Sequence, residues 1–208
     1  SVFERVARGG ERIRQVVDLL LDFSRARLGG GNPVFPQASD LSEICRSVVD
    51  EFHAARPGRV IECDILDSPL VGEWDSERLA QVLANLLDNA LKYSPADSPV
   101  RITACPHAAG AVSVEIHNQG PPIPEEMIPK LFEPFRRVEG PGMSSRTSLG
   151  LGLYIVHSIV QAHRGALTVR STGAEGTTFR VCLPRHRQEA EAPGPCERDL
   201  PSPQERSA

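Results

Sequence analysis

The chain has 208 residues, of which 40% are hydrophobic and 24% charged, so it can form one well-buried globular domain with appendages. A formal net charge of −4 excludes the broad basic field that binding to nucleic acid or to an anionic membrane surface requires. Five scattered cysteines favour reduced core thiols over metal ligands. The sequence has no long apolar run and no signal peptide at its start, so we expect this segment to stay in the cytosol.

The first 30 residues predict a helix. Seam positions recur at alternating spacings of three and four from Phe3 to Arg27, and further apolar residues widen the stripe, as in a helix of a bundle. The alternative is a helix that packs on its own domain. The sequence GGGNP at 29–33 ends this helix, because a glycine run followed by proline cannot continue it, and residues 31–40 are interpreted as a linker.

Residues 41–184 predict one domain of the α+β class, in which Asp40 and Asp75 cap helices. The predicted helices run from 40 to about 55, from 75 to 95, from 125 to 131 and from 150 to about 163. The predicted strands cover residues 60–65, 100–104, 112–117, 166–171 and 177–183. We expect residues 132–148 to be mobile, because Gly, Ser and Pro are frequent there, and residues 185–208 to form a disordered tail.

Three polar residues of the second helix lie on one face. Asn85, Asn89 and Lys92 are spaced by four and three, whereas the apolar residues take another face. An asparagine oxygen is a suitable ligand for Mg²⁺, and a lysine can neutralise phosphate charge. Taken alone, this pattern is more often a row of solvated polar residues.

Two glycine-containing segments follow. In HNQGPPIP (117–124), Asn118 ends a strand, where it could accept a hydrogen bond from a base amino group, and Gly120 permits close backbone approach. In SLGLGLYIV (148–156), Gly150 and Gly152 begin an apolar helix, where a phosphate chain could lie against the exposed N–H groups. The alternatives are an ordinary turn for the first segment and close helix–sheet packing for the second.

The order and spacing of NLLDNALKYSP, NQGPPIP, FEPF, LGLGLYIV and GTTF resemble the N box, first glycine box, F box, second glycine box and closing strand of sensor histidine kinases. IRQVVDLLLDFSRARLGG resembles the second helix of that family's dimerisation and phosphoacceptor domain. The resemblance implies the two-layer α/β sandwich shared with gyrase, Hsp90 and MutL, preceded by one bundle helix. It also implies the domain boundaries 1–30, 31–40, 41–184 and 185–208 for bundle helix, linker, ATP-binding domain and tail.

The resemblance further implies the ligands ATP and Mg²⁺ and a role for each matching residue. Asn89 is similar to the main Mg²⁺ ligand, and Asn118 occupies the position of the aspartate that reads adenine. The catalytic residues implied are Asn89, Lys92 and Arg137. The nucleotide-binding residues implied are Asn85, Asn89, Lys92, Tyr93, Asn118, Gly120, Ile123, Phe132, Phe135, Gly150, Leu151, Gly152, Leu153 and Thr178.

The implied activity is transfer of the γ-phosphoryl group of ATP to a histidine. None of the six histidines lies in an acceptor motif, so we expect the acceptor helix to come from the parent kinase, soluble or membrane-anchored. The other partners implied are a response regulator receiver domain and a second copy in a homodimer. Three departures, Asn118, Pro122 and Ser148, leave open a nucleotide-binding interaction module with weak or lost transfer activity. A mechanochemical ATPase is less favoured, because the F box has no role there.

Overall fold

The computed structural model describes residues 33–65, 69–107, 110–136 and 149–186, together with Val17, Leu21 and Ser24. These three isolated residues have helical backbone, and the rest of the predicted bundle helix lies outside the described residues. So do residues 187–208 of the predicted tail and residues 137–148 of the segment predicted to be mobile. No helix within the described ranges is long and apolar enough to cross a membrane.

The described helices and strands follow one another along the chain in an order typical of the α+β class. The helices are α1 (Leu41–Ala55), α2 (Ser76–Tyr93) and α3 (Gly152–Ala162), with a 3₁₀ helix at Glu125–Lys130. The strands are β1 (Gln37–Asp40), β2 (Ile61–Ile65), β3 (Val71–Trp74), β4 (Val100–His107), β5 (Ala111–Asn118), β6 (Ala166–Thr172) and β7 (Gly176–Pro184). Both predicted caps are confirmed, since the side chains of Asp40 and Asp75 accept hydrogen bonds from Ser42 N–H and Arg78 N–H.

Five strands form a mixed sheet in the order β2-β4-β5-β7-β6, in which only β2 and β4 pair in parallel. The apolar residues of the central strands alternate with polar ones, so one face of the sheet is covered by the helices. The core of this interface contains Val100, Ile102, Val114, Ile116, Phe179 and Val181 of the sheet and Leu83, Leu86, Leu87, Ile155 and Ile159 of the helices. The predicted two-layer fold is confirmed.

A second, two-stranded sheet of β1 and β3 was not predicted. Its strands have only four residues each; β1 (QASD) contains no β-branched or aromatic residue, and β3 (VGEW) is interrupted by a glycine, so neither has a clear strand pattern. Gly72 lies against the Trp74 ring, where a Cβ atom would be 2.3 Å from Cζ2. The Trp74 Nε1–H donates to the carbonyl oxygen of Pro184 (2.8 Å), so the buried indole ties this ribbon to the end of β7.

The four described cysteines are free thiols, as expected. Cys45 and Cys182 are buried, whereas Cys63 is exposed at the sheet edge. Burial raises the pKa of the Cys45 thiol to about 12, so this side chain behaves as an apolar core residue.

Candidate nucleotide-binding site

Helix α2 presents the three predicted polar residues beside its buried face. Asn85, Asn89 and Lys92 are half-buried, and each is adjacent in the helix to fully buried leucine or alanine residues. The Asn85 Nδ2 donates to the carbonyl oxygen of Gln81 (3.1 Å), which leaves its Oδ1 directed away from that bond. Within the described ranges the Asn89 amide has no hydrogen-bond partner. A half-buried amide without a partner is suited to bind a ligand.

Lys92 and Tyr93 interact at the C-terminal end of α2. The Lys92 Nζ donates to the Tyr93 hydroxyl (3.0 Å), and it lies 4.6 Å from the centroid of the tyrosine ring. The ammonium group is therefore held near the end of the helix, where its charge also interacts favourably with the helix dipole.

The amino-terminal end of α3 lies against Asn85. A Cβ atom added to Gly152 would lie 3.3 Å from Asn85 Oδ1, so the start of α3 is in close contact with Asn85 and a side chain at position 152 would press on the asparagine. Leu151 is the N-cap residue of α3, and its side chain makes no capping hydrogen bond. The first N–H groups of α3 and the Asn85 oxygen thus face the same space, an arrangement suited to an anion accompanied by a cation.

The predicted start of α3 is wrong by two residues. Gly150 lies outside the helix with φ +71°, a conformation that favours glycine, and a Cβ atom there would lie 2.6 Å from the carbonyl oxygen of Arg136. The Phe135 N–H donates to the Gly150 carbonyl oxygen (3.0 Å). Gly150 therefore joins the FEPF segment to the start of α3 rather than forming the first turn of the helix.

The two phenylalanines of the FEPF segment have different environments. Phe132 is half-buried and stacks on the His157 ring of α3, with the ring centroids 5.5 Å apart. Phe135 has φ +62° and is 54% exposed. On either side of Gly152, Leu151 is fully buried and Leu153 packs against the core. Arg137 lies outside the described residues.

The end of β5 forms a buried polar cluster with its neighbours. Asn118 is 4% exposed, and its Nδ2 donates to the carbonyl oxygen of Gln119 (2.9 Å), so its Oδ1 is the atom that can accept a hydrogen bond from a ligand. Gly120 packs on the end of α2, where a Cβ atom would lie 2.4 Å from the Tyr93 carbonyl oxygen. The backbone of this turn thus contacts the helix directly, so the turn after β5 and the C-terminal end of α2 are neighbours.

Thr177, which the sequence did not single out, belongs to this cluster. It pairs with Asn118 across β5 and β7, is 5% exposed, and lies 2.7 Å from the Ser171 hydroxyl. The Ser171 oxygen also accepts the N–H of Ile123 (2.9 Å), which places Ile123 beside the cluster. Strand alternation together with the register of β5 and β7 would identify Thr177, but that register is not evident from the sequence.

Thr178 is not brought to this cluster. It pairs with His117 and lies on the opposite face of the sheet, where its hydroxyl is 2.9 Å from His117 Nδ1. Because successive residues of a strand point to opposite faces, Thr177 and Thr178 cannot both face the helices. Thr178, predicted as a nucleotide contact, thus lies on the face of the sheet away from the helices, whereas Thr177 lies on the face that they cover.

The described residues contain no group of three His, Cys, Asp or Glu side chains that could hold a metal ion. Mg²⁺ in proteins commonly has few protein ligands and takes its remaining oxygens from water and phosphates. The amide of Asn89, the oxygen of Asn85 and the N-terminus of α3 beside Gly152 fit a Mg²⁺ ion bound together with phosphates, and do not fit a metal held by protein ligands alone.

Comparison with known proteins covers most of this domain. Residues 74–187 match the profile described as histidine kinase-, DNA gyrase B- and HSP90-like ATPase. A bacteriophytochrome of Pseudomonas aeruginosa is 36% identical over 80% of this chain and 22% of its own length. The probable sensor histidine kinase TcrY of Mycobacterium tuberculosis is 36% identical over 86% of this chain and 37% of its own length.

Solved structures show the same fold. Full-length ShkA, crystallised with AMPPNP, is 27% identical, with a TM-score of 0.69 over 85% of this chain and 36% of that chain. The chain thus spans about a fifth to two fifths of the length of the curated relatives named above.

Proposed function

Since the chain belongs to the family of histidine kinase-, DNA gyrase B- and HSP90-like ATPases, as the ATPase domain of a two-component sensor kinase, we propose that it binds Mg-ATP and donates the γ-phosphoryl group to a histidine. The observation that carries this proposal is the meeting of α2 and α3, where the Asn85 oxygen lies so close to the N-terminus of α3 that a single methyl group at Gly152 would crowd it. The crystallisation of ShkA with AMPPNP supports a triphosphate nucleotide as the ligand.

On the phosphate side, Asn89 is the proposed protein ligand of Mg²⁺, and Asn85 and Lys92 line the metal and the phosphates. The metal, when bound, neutralises charge on the phosphates. Lys92 adds a positive charge, and the N–H groups at the start of α3 donate hydrogen bonds to phosphate oxygens. Phosphoryl transfer requires charge neutralisation and positioning more than covalent participation by the protein, so this set of neutral and positive groups is sufficient.

On the base side, the Asn118 Oδ1 is proposed to accept a hydrogen bond from the adenine amino group. The bond between Nδ2 and the Gln119 carbonyl oxygen fixes the orientation of the amide and uses one of its two N–H donors, and Oδ1 is its acceptor. Gly120, Thr177 and Ile123 border this position, and Tyr93 lies where the base side meets the end of α2. A neutral acceptor makes a hydrogen bond about half as strong as a carboxylate does.

The proposed acceptor is a histidine on a bundle helix of the parent kinase, from which the phosphoryl group passes to a response regulator receiver domain. Three of the described histidines make structural contacts: His117 bonds Thr178, His157 stacks on Phe132, and His163 bonds two backbone groups. A homodimer of the parent kinase would provide acceptor helices from two copies.

An experiment that separates transfer from binding uses the chain together with a fragment that carries the acceptor helix. With γ-labelled ATP and Mg²⁺, we expect an acid-labile, base-stable phosphohistidine on the acceptor fragment. Asn89→Ala should abolish the label, whereas Asp88→Ala, on the exposed side of the same helix, should leave it intact because Asp88 pairs only with Arg56 at the surface. ATP binding without label would favour the alternative, a nucleotide-regulated interaction module, for which the neutral Asn118 is the motivating observation.

A further inference from the structure

His163 joins the two helices of the nucleotide site at the end remote from the nucleotide. It follows α3 and is 7% exposed. Its Nε2 accepts the backbone N–H of Asp75 (3.0 Å), and its Nδ1 lies 2.9 Å from the carbonyl oxygen of Ile159. An imidazole that accepts at Nε2 carries its proton at Nδ1, so the two contacts together require the neutral ring in one tautomer.

The contact partners show that α2 and α3 run antiparallel. Gly152 at the start of α3 meets Asn85 in the middle of α2, whereas His163 at the end of α3 meets Asp75 at the start of α2. About 15 Å of helix separates the two contacts along each helix. The pair is thus fixed at one end by His163, and its other end borders the proposed phosphate position.

Asp75 is held by two further hydrogen bonds. Its Oδ1 accepts the N–H of Arg78 (3.1 Å) in the first turn of α2, and its Oδ2 accepts the N–H of Phe35 (2.9 Å). Phe35 lies in the segment that enters the domain from the amino-terminal side. The backbone N–H that His163 binds therefore belongs to a residue whose position also fixes the start of α2.

We propose that His163 is a positioning residue for the nucleotide site: the neutral ring holds the start of α2 to the end of α3 and so sets the separation of Asn85 from the N-terminus of α3, and protonation of Nε2 releases this tie. The inference rests on the proposed nucleotide-binding function. Loss of the tie lowers the fraction of molecules in the competent arrangement, and the apparent ATP affinity falls by the same fraction.

The environment of His163 disfavours the charged ring. Burial lowers its pKa below the ordinary value of 6.5, although the Ile159 carbonyl and the Asp75 carboxylate act in the opposite direction. The other titratable or charged groups that face the same small cleft are Glu73 of β3, Arg164 and His186. Acidification below neutrality is therefore required to protonate the ring, and the tie is intact at neutral pH.

Two variants of the whole chain test the proposal. Gln at position 163 can place an oxygen acceptor where Nε2 lies, whereas Leu keeps the bulk and removes both polar contacts. By titration calorimetry with Mg-ATP near neutral pH, His163→Leu should bind about fivefold more weakly and His163→Gln within about twofold of wild type. Between about pH 7.5 and 5.5, the ATP affinity of wild type should fall more than that of His163→Gln. Titration of ATP itself affects both proteins equally, so it drops out of this comparison.

The matched control is His117→Gln. Burial lowers the pKa of His117 too, but this residue lies on the face of the sheet away from the helices, so the variant should keep the wild-type pH profile. Wild-type affinity in His163→Leu, or a wild-type pH profile in His163→Gln, overturns the proposal. If His163→Leu does not fold by circular dichroism, the pH profile of His163→Gln decides. Absence of ATP binding by wild type refutes the proposed function instead, and hydrogen exchange at the Asp75 amide then tests the tie alone. At neutral pH this amide should exchange no more than about twofold faster in His163→Gln than in wild type. In wild type it should exchange much faster at low pH than at neutral pH after correction for intrinsic rates.

Discussion

Replacement of Gly152 by alanine should change stability and ATP affinity in opposite directions. The new Cβ atom would lie 3.3 Å from Asn85 Oδ1 and 3.9 Å from Asn85 Cγ, so the asparagine must move by only a few tenths of an ångström. Alanine is favoured over glycine within a helix by up to about 1 kcal/mol. We therefore expect the apo domain to be more stable by about 0.5 kcal/mol after the cost of displacing Asn85 is subtracted.

The same methyl group should weaken ATP binding about tenfold, or about 1.4 kcal/mol. It occupies the space in which a phosphate would approach the N–H groups of α3, and it displaces the Asn85 oxygen from the proposed metal site. Titration calorimetry with Mg-ATP measures the affinity, and urea denaturation of the apo chain measures the free energy of unfolding.

Gly58→Ala is the matched control for this experiment. No heavy atom lies within 4 Å of a Cβ atom built on Gly58, an exposed residue in the turn after α1, so a methyl group there meets no other part of the domain. This variant should bind ATP like wild type. If Gly152→Ala is folded and its ATP affinity stays within twofold of the Gly58→Ala value, the proposal that the phosphates bind between Asn85 and the N-terminus of α3 is wrong.

Three other perturbations have definite expected outcomes. Asn118→Asp should bind ATP about fivefold more tightly, because a charge-assisted hydrogen bond replaces a neutral one; an unchanged or weaker affinity by calorimetry would contradict the proposed base contact. Gly120→Ala should destabilise the domain by about 1–3 kcal/mol in urea denaturation, since its Cβ atom would lie 2.4 Å from a backbone carbonyl oxygen that cannot rotate away. Burial lowers the pKa values of His117, His157 and His163, so the unfolded chain binds more protons below the ordinary pKa of 6.5, and the free energy of unfolding should fall as the pH falls through that value and below. A midpoint of thermal unfolding that rises on acidification from neutral pH would contradict the last expectation.

The elements that could be predicted from the sequence are those whose own composition determines them. Helix α2 has an aspartate cap, a continuous apolar face and a proline after its end; its cap is Asp75 as predicted, and it ends at Tyr93, two residues before Pro95. Strands β1 and β3 could not be predicted, because they are held by each other and by distant partners, namely the Trp74 bond to Pro184 and the bond from Glu73 N–H to the Arg185 carbonyl oxygen. The start of α3 was misplaced because Gly150 and Gly152 look alike in the sequence, although only one of them has a positive φ.

In the candidate site, too, local sequence places some residues, whereas others depend on distant contacts. Asn85, Asn89 and Lys92 could be placed on one face from their spacing alone, since the helix periodicity determines it. Whether Thr177 or Thr178 faces the helices depends on which face of β7 the helices cover, and therefore on the register of β7 with β5. The role of His163 depends on a contact with Asp75, 88 positions earlier in the chain, for which no local pattern exists.

The presence of asparagine at position 118 has a physical explanation in the free domain. The residue is 4% exposed, and its Nδ2 satisfies the Gln119 carbonyl oxygen at 2.9 Å. An aspartate here would place a carboxylate oxygen next to that carbonyl oxygen and bury a charge without a donor, at a cost of about 1–3 kcal/mol. ATP would offset part of this cost by donating its adenine amino group, so a carboxylate favours the bound state mainly by destabilising the empty one. Asparagine stabilises the empty domain at the expense of ATP affinity. When Asn118 is replaced by aspartate, the free energy of unfolding of the empty domain should therefore fall while the ATP affinity rises.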